Sequence, residues 1–175
     1  MRVTKAITIN HPVEEIYAFW RDFENLPRFM HHLQMVETTG GGRSHWTARA
    51  PGGGDVAWDA EVTEDKPNEL IAWRSIGSDD DIENSGVVQF LRAPGGRGTE
   101  VLVQLDYDPP GGKAGSIFAK LLGEEPSQQI DDDLRRLKQV IETGEVVRSA
   151  GAPEGMGQGM MKQHPAQPSE GEARL

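Results

Sequence analysis

The stretch DVAWDAEVTED (55–65) decides the fold, because apolar and polar residues alternate along most of it. Such alternation predicts a β-strand with one buried face and one solvent-exposed face. The buried face would carry Val56, Trp58, Ala60 and Val62, and the exposed face would carry Asp59, Glu61 and Thr63. We therefore place this segment in an antiparallel sheet whose apolar side is covered by another element.

The same alternation recurs on both sides of this strand. Clusters of glycine, such as 40–42 and 52–54, separate the segments and are typical of turns between strands. The predicted strands are 2–10, 35–39, 44–50, 55–65, 70–76, 86–92 and 99–107. The sequence thus predicts an antiparallel sheet of about six or seven strands.

Two short helices are predicted directly after the first strand. Pro12 would open the first helix, with Glu14 and Glu15 in the first turn, where the helix dipole favours acidic side chains. Its apolar face consists of Val13, Ile16, Tyr17 and Trp20, which recur at helical spacing. Pro27 interrupts the pattern, and we predict a second short helix over 27–33.

A long amphipathic helix is predicted near the C-terminal end. Residues 127–143 carry an apolar stripe, and Gly144 stands where a left-handed cap residue ends a helix. The stripe consists of Ile130, Leu134, Leu137 and Ile141. A shorter helical segment, 113–122, precedes it. This order predicts an α+β fold in which a curved antiparallel sheet wraps around the C-terminal helix, because that arrangement buries both apolar faces.

The chain divides into two parts at about residue 147. Residues 1–147 hold every predicted strand and helix. Residues 148–175 contain repeated Gly, Pro and Met without an apolar period, so we expect a disordered tail. The charges of this tail cancel, and the net charge of −10 therefore belongs to the domain.

Composition excludes several classes of function. The chain has 175 residues, with 18 Lys and Arg against 28 Asp and Glu, which argues against binding to nucleic acid and against stable anchoring to an anionic membrane. It has no Cys, which excludes disulfides, thiolate zinc sites and a Cys nucleophile. We find no signal-peptide pattern and no apolar stretch long enough for a membrane span, and we expect a cytoplasmic protein.

Several strings, in a fixed order, carry a resemblance to a known family. They are PVEEIYAFWRDFENLPRFM (12–30), VAWDAEVTEDKPNELIAWRS (56–75), NSGVVQF (84–90), GGRGTEVLVQLDYDPPGG (95–112) and GEEPSQQIDDDLRRLKQVIETGE (123–145). The order resembles the START/Bet v1-like helix-grip superfamily (SRPBCC), and within it the bacterial polyketide cyclase/dehydrase and coenzyme Q-binding group. The resemblance implies an apolar cavity between the sheet and the C-terminal helix.

The predicted ligand cavity is lined by one face of the sheet and by the helices that cover it. Its residues are Trp46, Trp58, Trp73, Phe90, Val101, Val103, Leu105, Tyr107, Phe118, Leu121, Ile130, Leu134 and Leu137. Apolar walls with a few polar groups are typical of small-molecule sites. The periodicity fits a packed core equally well, so the cavity rests on the resemblance.

A catalytic role is the alternative. An aldol cyclase needs one group that removes a proton next to a carbonyl and another that stabilises the enolate. The weak candidates are Arg74, Tyr107, His31 and His32, and the favoured interpretation is that they are surface or rim residues. Arg74 is predicted to point away from the cavity, and adjacent helical residues such as His31 and His32 diverge by about 100°. We name no catalytic residue and favour a binding protein over an enzyme.

The remaining motifs give weaker indications. The acidic runs 79–81 and 131–133 are interpreted as solvated charge, because successive helical carboxylates diverge and no calcium-loop spacing is present. The Pro-Pro-Gly-Gly segment 109–112 fits either a hinge for a lid over 113–122 or a fixed connector.

We predict neither a metal nor a resident cofactor. The favoured function is the binding, carriage or sequestration of a hydrophobic small molecule, such as a lipid, a quinone or a polyketide-like aromatic. The first alternative is a polyketide cyclase or aromatase that acts on a ligand in the same cavity. The second alternative is a module that binds an unknown protein partner through the acidic surface or the tail.

Overall fold

The computed structural model describes residues 1–50, 52–77, 82–108, 117–123 and 125–144. Its strands are β1 (Arg2–Ile9), β2 (Leu33–Gly40), β3 (Arg43–Arg49), β4 (Asp55–Lys66), β5 (Leu70–Ile76), β6 (Asn84–Arg92) and β7 (Thr99–Tyr107). Its helices are α1 (Val13–Arg21), a 3-10 helix (Phe23–Arg28), a single 3-10 turn (Pro94–Gly96), α2 (Ile117–Leu122) and α3 (Pro126–Thr143).

The strands form one curved antiparallel sheet in the order β1-β7-β6-β5-β4-β3-β2. Each strand from β2 to β6 pairs with the next one along the chain, and β7 pairs with β1. Hydrogen-bonded neighbours and a single buried face explain why the alternating segments become strands. The predicted helix-grip fold, with its sheet of about six or seven strands and its long C-terminal helix, is confirmed.

Helix α3 is held at both edges of the sheet. On the β1 side, Lys5 Nζ lies 3.1 Å from an Asp131 carboxylate oxygen, and Lys138 donates to the Thr8 carbonyl at 3.0 Å. On the β2 side, Arg136 Nε donates to the Phe29 carbonyl at 3.0 Å. The helix ends at a left-handed Gly144, with φ 77°, as its position predicts. These contacts fix α3 across the concave face of the sheet.

One glycine allows an aromatic ring to pack flat against the sheet. Gly86 on β6 lies opposite Trp73 on β5. A Cβ atom at Gly86 would lie 2.4 Å from Cζ2 of the Trp73 indole, far inside contact distance. The absence of a side chain at Gly86 therefore makes room for Trp73 in the core.

The predicted second helix over 27–33 is wrong in position and type. The chain forms a 3-10 helix at Phe23–Arg28, and the Asp22 carboxylate accepts a hydrogen bond from the Glu24 N–H at 3.3 Å near its start. Pro27 lies inside this short helix, and its missing N–H cannot continue the helical ladder. His31 and His32 therefore lie in a turn before β2 and not on a helix.

Several expectations concern parts of the chain outside the described residues. These are the disordered tail 148–175, the acidic run 79–81, the segment 109–112 and the first part of the predicted helix 113–122. Within the described ranges, no helix combines the length and the apolar character that are needed to cross a bilayer.

Candidate ligand-binding site

All of the predicted cavity residues are buried and belong to one apolar cluster between the sheet and the helices. Their rings form a continuous series on the concave face. The ring centroids of Trp46 and Trp58 are 5.9 Å apart, those of Trp58 and Phe118 5.8 Å, and those of Phe118 and Tyr107 5.6 Å. The aromatic face predicted from the strand pattern is thus packed in this structure, and Phe118 of α2 lies between Trp58 and Tyr107.

Three further aromatic residues belong to the same cluster and were not among the predicted site residues. Trp20 of α1 packs against Trp73 and Phe90, at centroid distances of 6.4 and 6.5 Å. The ring centroid of Phe23 lies 6.0 Å from that of Trp46, and the ring centroid of Phe29 lies 5.2 Å from that of Trp20. The helical spacing of Trp20 signals a buried face, but no local pattern indicates that Phe23 and Phe29 reach the same interior.

The interior contains polar atoms that have no partner. Trp58 Nε1, Trp20 Nε1 and the Tyr107 hydroxyl are buried, and none of them makes a hydrogen bond within the described part of the chain. Trp46 differs, because its Nε1 donates to the Ser44 hydroxyl at 2.7 Å. Burial raises the pKa of Tyr107, so its hydroxyl stays protonated at neutral pH. A buried donor without a partner costs about 1–3 kcal/mol, and such groups call for an explanation.

An open cavity of about 630 Å³ lies at one end of the sheet, and Tyr107 is one of the residues that line it. Its lining comes from β5, β6 and β7 and from the residues next to them: Met1, Arg74, Ser75, Ile76, Gly77, Glu83, Asn84, Ser85, Asp106, Tyr107 and Asp108. Arg74 lies on the exposed side, where its guanidinium is 2.7 Å from a carboxylate oxygen of Glu61. The mouth of this cavity is therefore polar, whereas the Tyr107 hydroxyl itself is buried.

The two histidines lie away from this mouth, against the side of α3. His31 is exposed, whereas Nδ1 of His32 is buried and has no partner among the described residues. Burial and the nearby Arg136 charge lower the pKa of His32 to about 4. His32 is therefore neutral at physiological pH. The structure does not bring the histidines together with Arg74 or Tyr107 in one catalytic group.

The interpretation of 131–133 as solvated charge is wrong for Asp133. Asp131 pairs with Lys5 and Asp132 with Arg135, but the Asp133 side chain is 3% exposed. Asp133 follows Ile130 by three residues and precedes Leu137 by four, so it lies on the buried face of α3. Sequence reasoning missed it because the acidic run was treated as a unit.

Asp133 is the centre of a polar group that also contains Gln129 and Arg136, called here the Asp133 cluster. Arg136 donates to Asp133 Oδ1, and Gln129 Nε2 donates to the same oxygen at 3.0 Å. Oδ2 is buried, and the backbone N–H of His31 also stabilises the ionised carboxyl group. Burial raises the pKa of Asp133 to about 7, although Arg136 opposes the shift. The carboxyl group therefore changes charge near neutral pH.

Over the described residues, no group of three or more Asp, Glu or His side chains is placed to hold a metal ion. Asp131, Asp132 and Asp133 instead pair with Lys5, Arg135 and Arg136, respectively.

Comparison with known proteins identifies the family. Residues 9–135 match the model of a family described as polyketide cyclase/dehydrase and lipid transport. The chain belongs to this family. The predicted resemblance to the polyketide cyclase/dehydrase group is thereby confirmed, whereas the coenzyme Q-binding subgroup stays a prediction.

Relatives of this polyketide cyclase/dehydrase family member agree with its fold. An uncharacterized 17.2 kDa protein of Streptomyces lincolnensis is 31% identical over 147 residues, which is 81% of this chain and 89% of the relative. A crystal structure from Deinococcus radiodurans is 46% identical, with a TM-score of 0.67 over 83% of this chain and 99% of that one.

A more distant neighbour has a named biosynthetic context. The di-domain ARO/CYC protein StfQ, from the steffimycin biosynthetic pathway, is 13% identical, with a TM-score of 0.57. The match covers 79% of this chain and 49% of StfQ. At this identity, the likeness concerns the fold. Together, the family and the fold support a hydrophobic ligand-binding architecture.

The raised pKa of Asp133 predicts how the free energy of unfolding depends on pH. Its folded pKa, about 7, lies above the ordinary value of 3.8, so its stabilising contribution is complete below about pH 4 and is lost as the pH rises through 7. The Asp133→Asn variant stays neutral at every pH. We therefore expect its free energy of unfolding, relative to that of wild type, to increase by about 2–4 kcal/mol from pH 5 to pH 8. Urea denaturation at both pH values measures this.

The control is Asp132→Asn on the same helix, because the Asp132 side chain is 41% exposed. We expect its effect on stability to be similar at the two pH values. An equal response of the two variants to pH would contradict the raised pKa of Asp133.

Proposed function

We propose that this protein binds a hydrophobic small molecule between the concave face of the sheet and α3, and that it carries or sequesters that molecule. The single observation that carries the proposal is the ring series from Trp46 to Tyr107, which contains buried hydrogen-bond donors without partners. A purely structural core gains nothing from such donors, whereas a ligand site uses a few polar groups to orient its ligand.

Phe118 gives the proposed site its entrance. It lies on α2 and touches both Trp58 and Tyr107, and Tyr107 is also one of the residues that line the open cavity. In this proposal, a ligand enters beside Tyr107 and reaches the ring of Phe118, which contacts Tyr107. In this proposal, the ring of Phe118 moves aside and the ligand takes its place against the indole of Trp58.

A neutral apolar dye tests the proposal. We expect Nile red to bind in a saturable way with one site per chain, since apolar burial drives binding. Phe118→Ala should change the Kd at least about threefold, because Phe118 lines the site. The matched control is Leu91→Ala, since Leu91 is 45% exposed on β6, and it should leave the Kd unchanged. Non-saturable binding, or equal effects of the two variants, would contradict an interior site.

A cyclase is the second candidate, favoured by the family description and by the ARO/CYC context of StfQ. Tyr107 is the one residue of the catalytic alternative that lies in the ring series. Its raised pKa makes it a hydrogen-bond donor to a carbonyl and a poor base. Arg74 pairs with Glu61 outside, and the histidines lie beside α3, so we favour binding without chemistry.

We further propose that residues 1–147 suffice for this function, that the protein is cytoplasmic, and that it binds no nucleic acid. The first part rests on the described elements around the proposed site, all of which lie within residues 1–144. The last part rests on the net charge of −10. Removal of 148–175 should leave Nile red binding unchanged. Loss of a protein partner in a pull-down with the same truncated chain would favour an interaction module instead.

A further inference from the structure

The turn over 29–32, which leads into β2, is attached to α3 through the Asp133 cluster. Arg136, a member of this cluster, donates from Nε to the Phe29 carbonyl at 3.0 Å. The ring of Phe29 is fully buried in the aromatic interior, and its centroid lies 5.2 Å from that of Trp20. The turn therefore connects a buried carboxyl group on α3 to the rings between the sheet and the helices.

One group in this attachment changes charge near neutral pH. Around Asp133, the titratable and charged groups in the described part of the chain are Arg136 on α3 and the two histidines of the turn, His31 and His32. Desolvation and the Arg136 charge lower the pKa of both histidines, so both are neutral at pH 7. Asp132, the adjacent carboxylate on α3, is 41% exposed. Asp133, whose pKa burial raises to about 7, is therefore the group of the cluster that titrates there.

The ionised form of Asp133 favours an open arrangement, in which the turn has moved away from α3. In the closed arrangement the Asp133 side chain is 3% exposed, and the attraction of Arg136 does not offset the desolvation of the carboxylate. Opening admits water to the carboxylate and removes this cost. A protonated carboxyl group gains much less from water, so the closed arrangement is favoured at lower pH.

We propose that the Asp133 cluster is a pH-sensitive latch, which holds the turn 29–32 against α3 while Asp133 carries a proton and releases the turn when that proton passes to water. Release separates the Phe29 carbonyl from Arg136 and loosens the Phe29 ring in the aromatic interior. The latch thereby controls how fast a ligand leaves that interior, and this last step rests on the proposed function.

Native-state hydrogen exchange at the Arg49 amide measures release of the turn, because this amide donates to the His32 carbonyl at 3.3 Å. The full-length chain is used, and each rate is divided by the intrinsic rate at the same pH. We expect protection to fall at least about tenfold from pH 5 to pH 8, where complete hydration of the carboxylate would give about 100-fold. The fall should be the same in about 1 M urea, since a local opening exposes little surface.

Two variants of α3 separate the latch from a general effect of pH. Asp133→Asn cannot titrate, so its Arg49 amide should change by less than about twofold between the two pH values. Asp132→Asn, the matched control, should keep the wild-type response. The latch is wrong if wild-type protection does not change with pH, if Asp133→Asn responds as wild type does, or if urea lowers the protection as steeply as it promotes global unfolding.

Stopped-flow dissociation of Nile red tests the step that involves the ligand. Dissociation should be at least about threefold faster at pH 8 than at pH 5 in wild type, and independent of pH in Asp133→Asn. If the Arg49 amide responds as expected but Nile red shows no saturable binding, the proposed function fails and the latch stands. If Nile red binds and its dissociation ignores pH while the amide responds, the latch does not control ligand exit.

Discussion

Replacement of Arg136 by Met is expected to lower the free energy of unfolding by about 3–5 kcal/mol at pH 8, because it leaves the buried Asp133 carboxylate without its cation. The two side chains are 14% and 3% exposed, so water cannot replace the lost partner. Arg136 also donates to the Phe29 carbonyl, which ties α3 to the turn before β2. This substitution therefore weakens both the Asp133 cluster and one of the attachments of α3.

The pH dependence separates the two effects. At pH 5 the carboxyl group of Asp133 is already neutral in the folded protein, since burial raises its pKa to about 7. The destabilisation by Arg136→Met should therefore be smaller at pH 5 than at pH 8. The double variant Asp133→Asn with Arg136→Met should recover most of the loss at pH 8. A loss that is the same at both pH values, and that the double variant does not recover, would contradict a buried charge pair.

Gly98→Ala is expected to be the most damaging small substitution, with a loss of about 4 kcal/mol or more, or failure to fold. A Cβ at Gly98 would lie 2.2 Å from the Ile9 carbonyl oxygen and 2.8 Å from the Asn10 Cα. Both are backbone atoms at the end of β1, so no side-chain rotation relieves the overlap. Gly98 also has φ +100°, which disfavours any residue with a Cβ.

Gly96→Ala is the matched control, because it shares the strained backbone but not the overlap. Gly96 has φ +70°, and a Cβ added there would have no heavy atom within 4 Å. We expect a loss of about 1 kcal/mol, the ordinary cost of a left-handed alanine. Urea denaturation of both variants measures the difference. Similar losses for the two would show that backbone conformation, and not the contact with β1, makes Gly98 necessary.

The sheet and α3 could be predicted because each has a repeating apolar pattern that determines its type. Val56, Trp58 and Ala60 alternate with polar residues, and Ile130, Leu134 and Leu137 recur at helical spacing. Each pattern extends over several turns or residue pairs, so one irregular position does not obscure it. The 3-10 helix lacks such a pattern, because it spans only six residues and contains Pro27.

The sequence predicts that the apolar residues of the candidate site are buried, but it does not predict which partners their polar atoms have. Burial of Trp58 and Tyr107 follows from strand alternation, but the partners of their polar atoms depend on tertiary packing. Trp46 and Trp58 occupy paired positions on neighbouring strands, yet Ser44 satisfies the first indole and leaves the second unpartnered. Only the three-dimensional arrangement distinguishes them.

The most direct test of the central claim is to locate a bound apolar molecule by NMR. Nuclear Overhauser effects from 2-methylnaphthalene to the full-length protein report which side chains touch it. We predict saturable binding with contacts to the rings of Phe118, Trp58 and Tyr107, which lie together in the interior. Contacts confined to exposed apolar side chains such as Met35 and Leu91, with none to those three rings, would contradict a ligand site between the sheet and α3.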